Sequence, residues 1–170
     1  MKQNGFTLVE LLATLAIISI IMMIAVPNVM GILDRNKRTT YLEDAKKLVT
    51  QADYKFRMEQ TIAKPKGNEC VIFRMKSLDV SELKKGPEGS AYNIDNSFVA
   101  IKYEAGKYQY GVMLYEANKQ KGVKLVNSTK LNEETAMMKY ITEGITPKSL
   151  ALNGSVSGDG FSCTKIISLN

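Results

Sequence analysis

One carboxylate stands alone in a long apolar segment. From Phe6 to Leu33 the only ionisable side chain is Glu10, and Leu11 to Val26 carries no charge and just two hydroxyls, Thr14 and Ser19. A carboxylate near the centre of a membrane helix costs about 2.5–3.5 kcal/mol, less near an interface. Two readings follow. Thr7-Leu8-Val9-Glu10 fits a capping box, in which the threonine caps a helix and the glutamate returns to the cap's amide. Alternatively, the carboxylate neutralises a cation brought to it, an interaction worth far more in lipid than in water.

Elsewhere the chemistry is sparse. The chain has no His, which removes the commonest neutral-pH acid/base group and the commonest metal ligand. No nucleophile–base pair, phosphate-cradling glycine loop or paired acid cluster appears. The expectation is a protein that is not an enzyme and needs no cofactor or metal. Asn153-Gly154-Ser155-Val156-Ser157-Gly158-Asp159-Gly160 faintly suggests a calcium loop but holds one carboxylate; a glycine-rich surface loop is the better reading. Cys70 and Cys163 are the only cysteines. Without a CxxC they read as structural, either bridged or free. The net charge of +6 comes from signs interleaved almost everywhere, so a solvated surface fits better than a nucleic-acid stripe. Lys64-Pro65-Lys66 and Lys84-Lys85 read as solvated loop charge, with DNA the less favoured partner.

These residues need elements to position them. The pattern predicts one long helix over 6–60, roughly 80 Å at 1.5 Å per residue. Its first half, 6–33, is long enough to cross a bilayer. Its second half is amphipathic, with Tyr41, Ala45, Leu48, Ala52 and Phe56 at helical spacing and Leu42 and Val49 widening the stripe. Asp34 to Thr40 is a polar hinge between the two. Pro27 removes a donor from the helix and crowds the carbonyl of Met23, so a bend is expected there, loosened further by Gly31. Lys64-Pro65-Lys66-Gly67 stops the helix.

Beyond it, Cys70 to Met75 reads as a strand or buried segment and Asp79 to Asn93 as a loop. Ser97–Tyr103 and Tyr108–Glu116 form a hairpin, and Val123–Asn127 extends it to an antiparallel meander. Glu133 to Ile141 reads as a short helix with Asn132 as its cap. Thr146 to Gly160 reads as loop, and Phe161 to Ser168 as a last strand. The predicted class is α+β: a long N-terminal helix packed on an antiparallel β-meander. The predicted organisation is a leader over 1–5, a hydrophobic helix over 6–33 and a globular head over 34–170.

Lys2, Gly5-Phe6-Thr7-Leu8-Val9-Glu10-Leu11-Leu12 and the apolar helix after them resemble the class III signal of type IV pilins and pseudopilins. The resemblance covers residues 1–33 and is architectural beyond them. It implies cleavage between Gly5 and Phe6 by a prepilin peptidase and N-methylation of Phe6. It also implies that Glu10 drives assembly by pairing with the new amine of a neighbouring subunit. Pro27 falls where the family places a helix-kinking proline, and a Cys70–Cys163 disulfide stapling the C-terminal segment matches many pilins.

The implied function is a structural subunit of a pilus-like filament, a fimbrium serving adhesion or motility. The alternatives are a minor pilin or pseudopilin of a secretion or DNA-uptake system, and a filament-borne adhesin or binding module. Partners would be further copies of the chain, the peptidase and an inner-membrane assembly platform. The precursor would sit in the cytoplasmic membrane as a single pass with its N-terminus inside, and the assembled form at the cell surface. Arg35, Lys37 and Arg38 alone would place the C-terminal side inside; the Gly5-Phe6 motif is more specific and decides the orientation.

Overall fold

A 51-residue helix, α1, runs Leu8–Met58 in the computed structural model, which describes residues 6–59, 61–133, 135–146 and 154–169. The chain divides into two units, one ending at Asn36 and the other beginning at Lys37. The boundary falls within the polar stretch 34–40, whose residues are helical.

In the first unit every described residue is exposed. Pro27 lies inside the helix and the helical backbone continues past it. The few polar side chains satisfy themselves on the helix. Thr14 Oγ1 donates to the Leu11 carbonyl at 2.8 Å, Ser19 Oγ to Leu15 at 2.8 Å and Asn28 Nδ2 to Ile24 at 3.2 Å. Bonds of this kind let hydroxyls and amides sit in an apolar helix without seeking water.

In the second unit α1 buries Tyr41, Leu42, Ala45, Leu48, Ala52 and Phe56, the stripe that the spacing predicts. It lies on a sheet of β1 (Glu69–Arg74), β2 (Phe98–Glu104), β3 (Lys107–Tyr115) and β4 (Gly122–Asn127). Alternation along each strand divides the core. Val71, Phe73, Val99, Ile101, Val112, Leu114 and Val123 face α1. Cys70, Ile72, Phe98, Ala100, Met113 and Tyr115 face the other way. Their neighbours in sequence thus line opposite faces, as a two-residue period demands. The β2–β3 turn is Ala105-Gly106, both with positive φ (51° and 81°). That combination matches the twist of a two-residue hairpin, and glycine adopts it without steric cost.

The structure corrects the predicted C-terminal half. The expected helix over Glu133–Ile141 shrinks to α2, Ala136–Lys139, and Asn132 does not cap it. Asn132 instead ends a 3-10 turn, Ser128–Asn132, whose cap is Asn127. Sheet pairing takes over from the helix, because Ile141–Thr142 forms β5 and Ile141 is in register with Val123 of β4. The expected loop over Thr146–Gly160 contains β6 (Val156–Gly158), and the expected last strand divides into β7 (Phe161–Cys163) and β8 (Lys165–Leu169). β6 and β7 form a separate antiparallel hairpin. Val156, Phe161 and Cys163 cover the face of the sheet turned away from α1. β8 joins the main sheet beside β1, parallel to it. The order is β5-β4-β3-β2-β1-β8, with every pairing but the last antiparallel.

Candidate functional site

Phe6 and Thr7 precede the first helical residue, Leu8. The amides of a first helical turn lack partners within the helix, and here Thr7 and Glu10 supply them reciprocally. Thr7 Oγ1 accepts from the Glu10 amide at 3.3 Å, and Glu10 Oε2 accepts from the Thr7 amide at 2.9 Å and from its hydroxyl at 2.8 Å. The capping box is therefore formed in the single chain. Glu10 carries it from an exposed position, with Phe6 also exposed. Gly5 lies outside the described residues.

α1 is long and apolar enough to cross a membrane. From Leu8 to Leu33 its large apolar side chains stay uncovered by the chain's own atoms. So long an apolar surface is not stable in water. It needs lipid or other helices. Gly31 has open space where a Cβ would stand, so no contact within the chain requires glycine there.

The head is built on the second half of α1 by polar pins as well as by its core. Tyr41 donates to Glu116 Oε1 at 2.7 Å, and Tyr92 donates to Asp44 Oδ2 at 2.7 Å. Tyr110 donates to Asp53, which also holds Arg57 at 2.8 Å. Burial, then the hydrogen bond to Asp53, pushes the Tyr110 hydroxyl up to about 12. Burial, then the hydrogen bonds to Glu116 and Asp44 respectively, push Tyr41 and Tyr92 up further. Each phenol therefore stays a donor at any physiological pH, and each carboxylate keeps its partner. Lys55 Nζ adds a bond to the Ser77 carbonyl at 2.7 Å.

The buried carboxylate of Glu116 is the centre of the most heavily bonded of these pins. Besides Tyr41 it accepts from the amides of Glu88 at 2.8 Å and Ser90 at 3.1 Å, and from the Ser90 hydroxyl. It thereby folds the Gly86–Ser90 loop over itself. A Cβ at Gly86 would lie 2.2 Å from Glu116 Oε1, so this close approach admits only glycine. Glu88, on the same loop, bridges Lys37 at 2.9 Å and Lys121 at 3.0 Å. The sequence reading passed over this network. Gly86-Pro87-Glu88-Gly89 announces a turn, but nothing in one dimension says that the turn wraps a carboxylate 28 residues on.

Cys70 on β1 and Cys163 on β7 are joined, with their Cα atoms 5.9 Å apart. Both are buried. In the glycine-rich segment, Asn153 lies outside the described residues and Asp159 pairs with Lys130. No group of three or more candidate metal ligands occurs among the described residues. Lys64, Lys66, Lys84 and Lys85 are exposed on loops.

No curated protein matches the chain, and no solved structure does. Its exposed apolar helix, headed by Phe6 and Glu10, is accompanied by a family match over residues 1–26 alone: the prokaryotic N-terminal methylation motif, which is the class III prepilin signal of type IV pilins and pseudopilins.

Proposed function

We propose that this protein is the structural subunit of a pilus-type filament. Prepilin peptidase cleaves between Gly5 and Phe6, and Phe6 becomes the methylated N-terminus. The precursor waits in the cytoplasmic membrane with its N-terminus inside, and an inner-membrane platform transfers it to the growing filament. One observation carries the reading: a prepilin signal leads directly into a helix whose large apolar side chains, from Leu8 to Leu33, all remain exposed. Removal of residues 1–5 leaves that surface on the mature chain. In the membrane lipid covers it; in the filament copies of the same helix would.

In this reading Glu10 has two successive partners. Before assembly it caps its own helix through Thr7. During assembly its carboxylate receives the Phe6 amine of a neighbour, a pairing strengthened by the low dielectric of the helix bundle. Pro27 and Gly31 give the helix a point at which it can adjust its packing.

Mass analysis of the mature chain, paired with immunoelectron microscopy of the native host, tests the proposal. A chain beginning at methylated Phe6 and label along surface filaments are the expected results. Label confined to the envelope with the same terminus would assign a pseudopilin role instead. Retention of residues 1–5 would leave a membrane anchor that does not polymerise.

A further inference from the structure

The head carries a protruding apolar side chain and an apolar groove that it does not fill itself. Met138, on α2, is 77% exposed, the most exposed large apolar side chain among the described residues of the second unit. Tyr54 and Met58, one turn apart on α1, are 60% and 65% exposed. With Leu78 they line a groove of about 410 Å³ that also includes Asp79 and Glu59.

The two surfaces lie on opposite flanks of α1. Tyr41, Ala45, Leu48, Ala52 and Phe56 mark the stripe that faces the sheet. At about 100° per residue, Arg38 and Thr39 fall to one side of that stripe, and both touch Met137: Arg38 donates to its carbonyl at 3.2 Å and the Thr39 hydroxyl to its sulfur at 3.2 Å. Tyr54 and Met58 fall to the other side. The surfaces are also staggered by roughly 20–30 Å along the helix axis. Met138 therefore cannot fill the groove of its own head. A contact between different patches of identical copies is heterologous, and it propagates as an open fibre unless its rotation closes a ring.

Charge points to the same partner. Lys139, beside Met138, holds its ammonium 5.3 Å from the centre of the Tyr140 ring. In the groove, Lys55 is engaged by the Ser77 carbonyl, and the lining carries two carboxylates, those of Glu59 and Asp79. A lysine delivered by a neighbour would complement those carboxylates.

We propose that Met138 of one copy seats in the groove of Tyr54, Met58 and Leu78 on a second copy, with Lys139 reaching Glu59 and Asp79. This rests on the filament reading above and names a contact between heads that the apolar helices alone would not provide. Filaments sheared from the native host test it, with the full chain carrying both Met58→Cys and Met138→Cys and treated with a bismaleimide. Absence of filaments from the unaltered chain would remove the filament reading, and this inference with it. Filaments that crosslink into dimers, trimers and longer ladders, with either single substitution giving monomers and dimers at most, are the expected result. Filaments that release only monomers overturn the contact and leave the filament reading standing. If the doubly substituted chain makes no filaments, a charge pair decides. Met138→Glu should lower filament yield about tenfold or more, and adding Asp79→Lys should restore most of it; failure of that rescue, or an unchanged yield from Met138→Glu, also overturns the contact.

Discussion

Tyr41 donates its hydroxyl to the carboxylate of Glu116 across 2.7 Å, and neither side chain is reached by solvent. The pair ties the start of the head's helix to the end of β3. Three more donors, two of them amides of the Gly86–Ser90 loop, converge on the same carboxylate. Sheet, helix and loop therefore meet at one carboxyl group held by neutral donors.

That convergence predicts strong coupling. Glu116→Gln keeps the shape but turns an NH₂ group toward donors, which should cost about 2–4 kcal/mol of head stability. Tyr41→Phe removes one donor and leaves the others, at about 1–3 kcal/mol. Because the groups share one network, the double variant should fall short of the sum by about 0.5–3 kcal/mol. Denaturant unfolding of the full chain in detergent, followed by tyrosine fluorescence, checks this. Strict additivity would mean that the bond carries no stability.

The neighbouring Glu88 predicts a pH dependence. The hydrogen bond from Lys37, and then that from Lys121, hold its carboxyl below the usual glutamate range, against partial burial. The native state therefore takes up this proton at lower pH than the unfolded chain does. The stability it supplies is complete above the unfolded value of about 4.3 and is lost as pH falls through the folded one. Glu88→Gln should lower stability at pH 7 by about 1–2 kcal/mol, and the difference should shrink toward zero as the medium is acidified. A deficit that persists unchanged at low pH would assign Glu88 a packing role.

Legibility in the sequence followed periodicity. The helix stripe of Tyr41, Ala45, Leu48, Ala52 and Phe56 repeats every three or four residues, and the hairpin of β2 and β3 is two runs rich in Val, Ile, Phe and Tyr around a turn at Gly106, so both were readable. Thr7 and Glu10 were readable as a cap because their bonds are local in sequence. Glu116 was not, since its partners come from two distant segments, α1 and the Gly86–Ser90 loop. β8 was missed as a parallel strand because its partner, β1, lies more than 90 residues earlier. The short helix was overextended: Tyr140 and Ile141 favour strands, and the pairing of Ile141 with Val123 draws the chain into the sheet there.

The disulfide predicts where the head yields first. It joins β1 to β7 across 93 residues of sequence, and β8 follows β7 immediately and pairs only with β1 among the described strands. Replacing both cysteines, as Cys70→Ser with Cys163→Ser, should cost about 2–5 kcal/mol. The loss should be local before it is global. Hydrogen exchange should accelerate in β8 and the β6–β7 hairpin, while the amides joining β2 and β3 stay protected until global unfolding. Equal acceleration across the whole sheet would contradict a staple at this edge.

Thr7 and Glu10 allow the local and the intersubunit roles of one carboxylate to be separated. In the single chain Glu10 bonds only to Thr7 among the described residues, so capping alone could account for its presence. Three substitutions distinguish the roles. Thr7→Ala breaks the cap and keeps the charge, at a cost of about 1 kcal/mol to the helix end. Glu10→Gln keeps a side chain that can still return to the Thr7 amide but removes the charge that would neutralise a neighbour's amine. Glu10→Ala removes both. If assembly depends on charge pairing, Thr7→Ala should form filaments at close to normal yield. Glu10→Gln and Glu10→Ala should both insert and be cleaved, yet fail to assemble. If the cap is what matters, Thr7→Ala should resemble Glu10→Ala, and Glu10→Gln should assemble normally. Filament yield by shearing, together with the mass of the membrane-held mature chain, reads both outcomes in one experiment. Normal filaments from Glu10→Ala would remove Glu10 from assembly altogether.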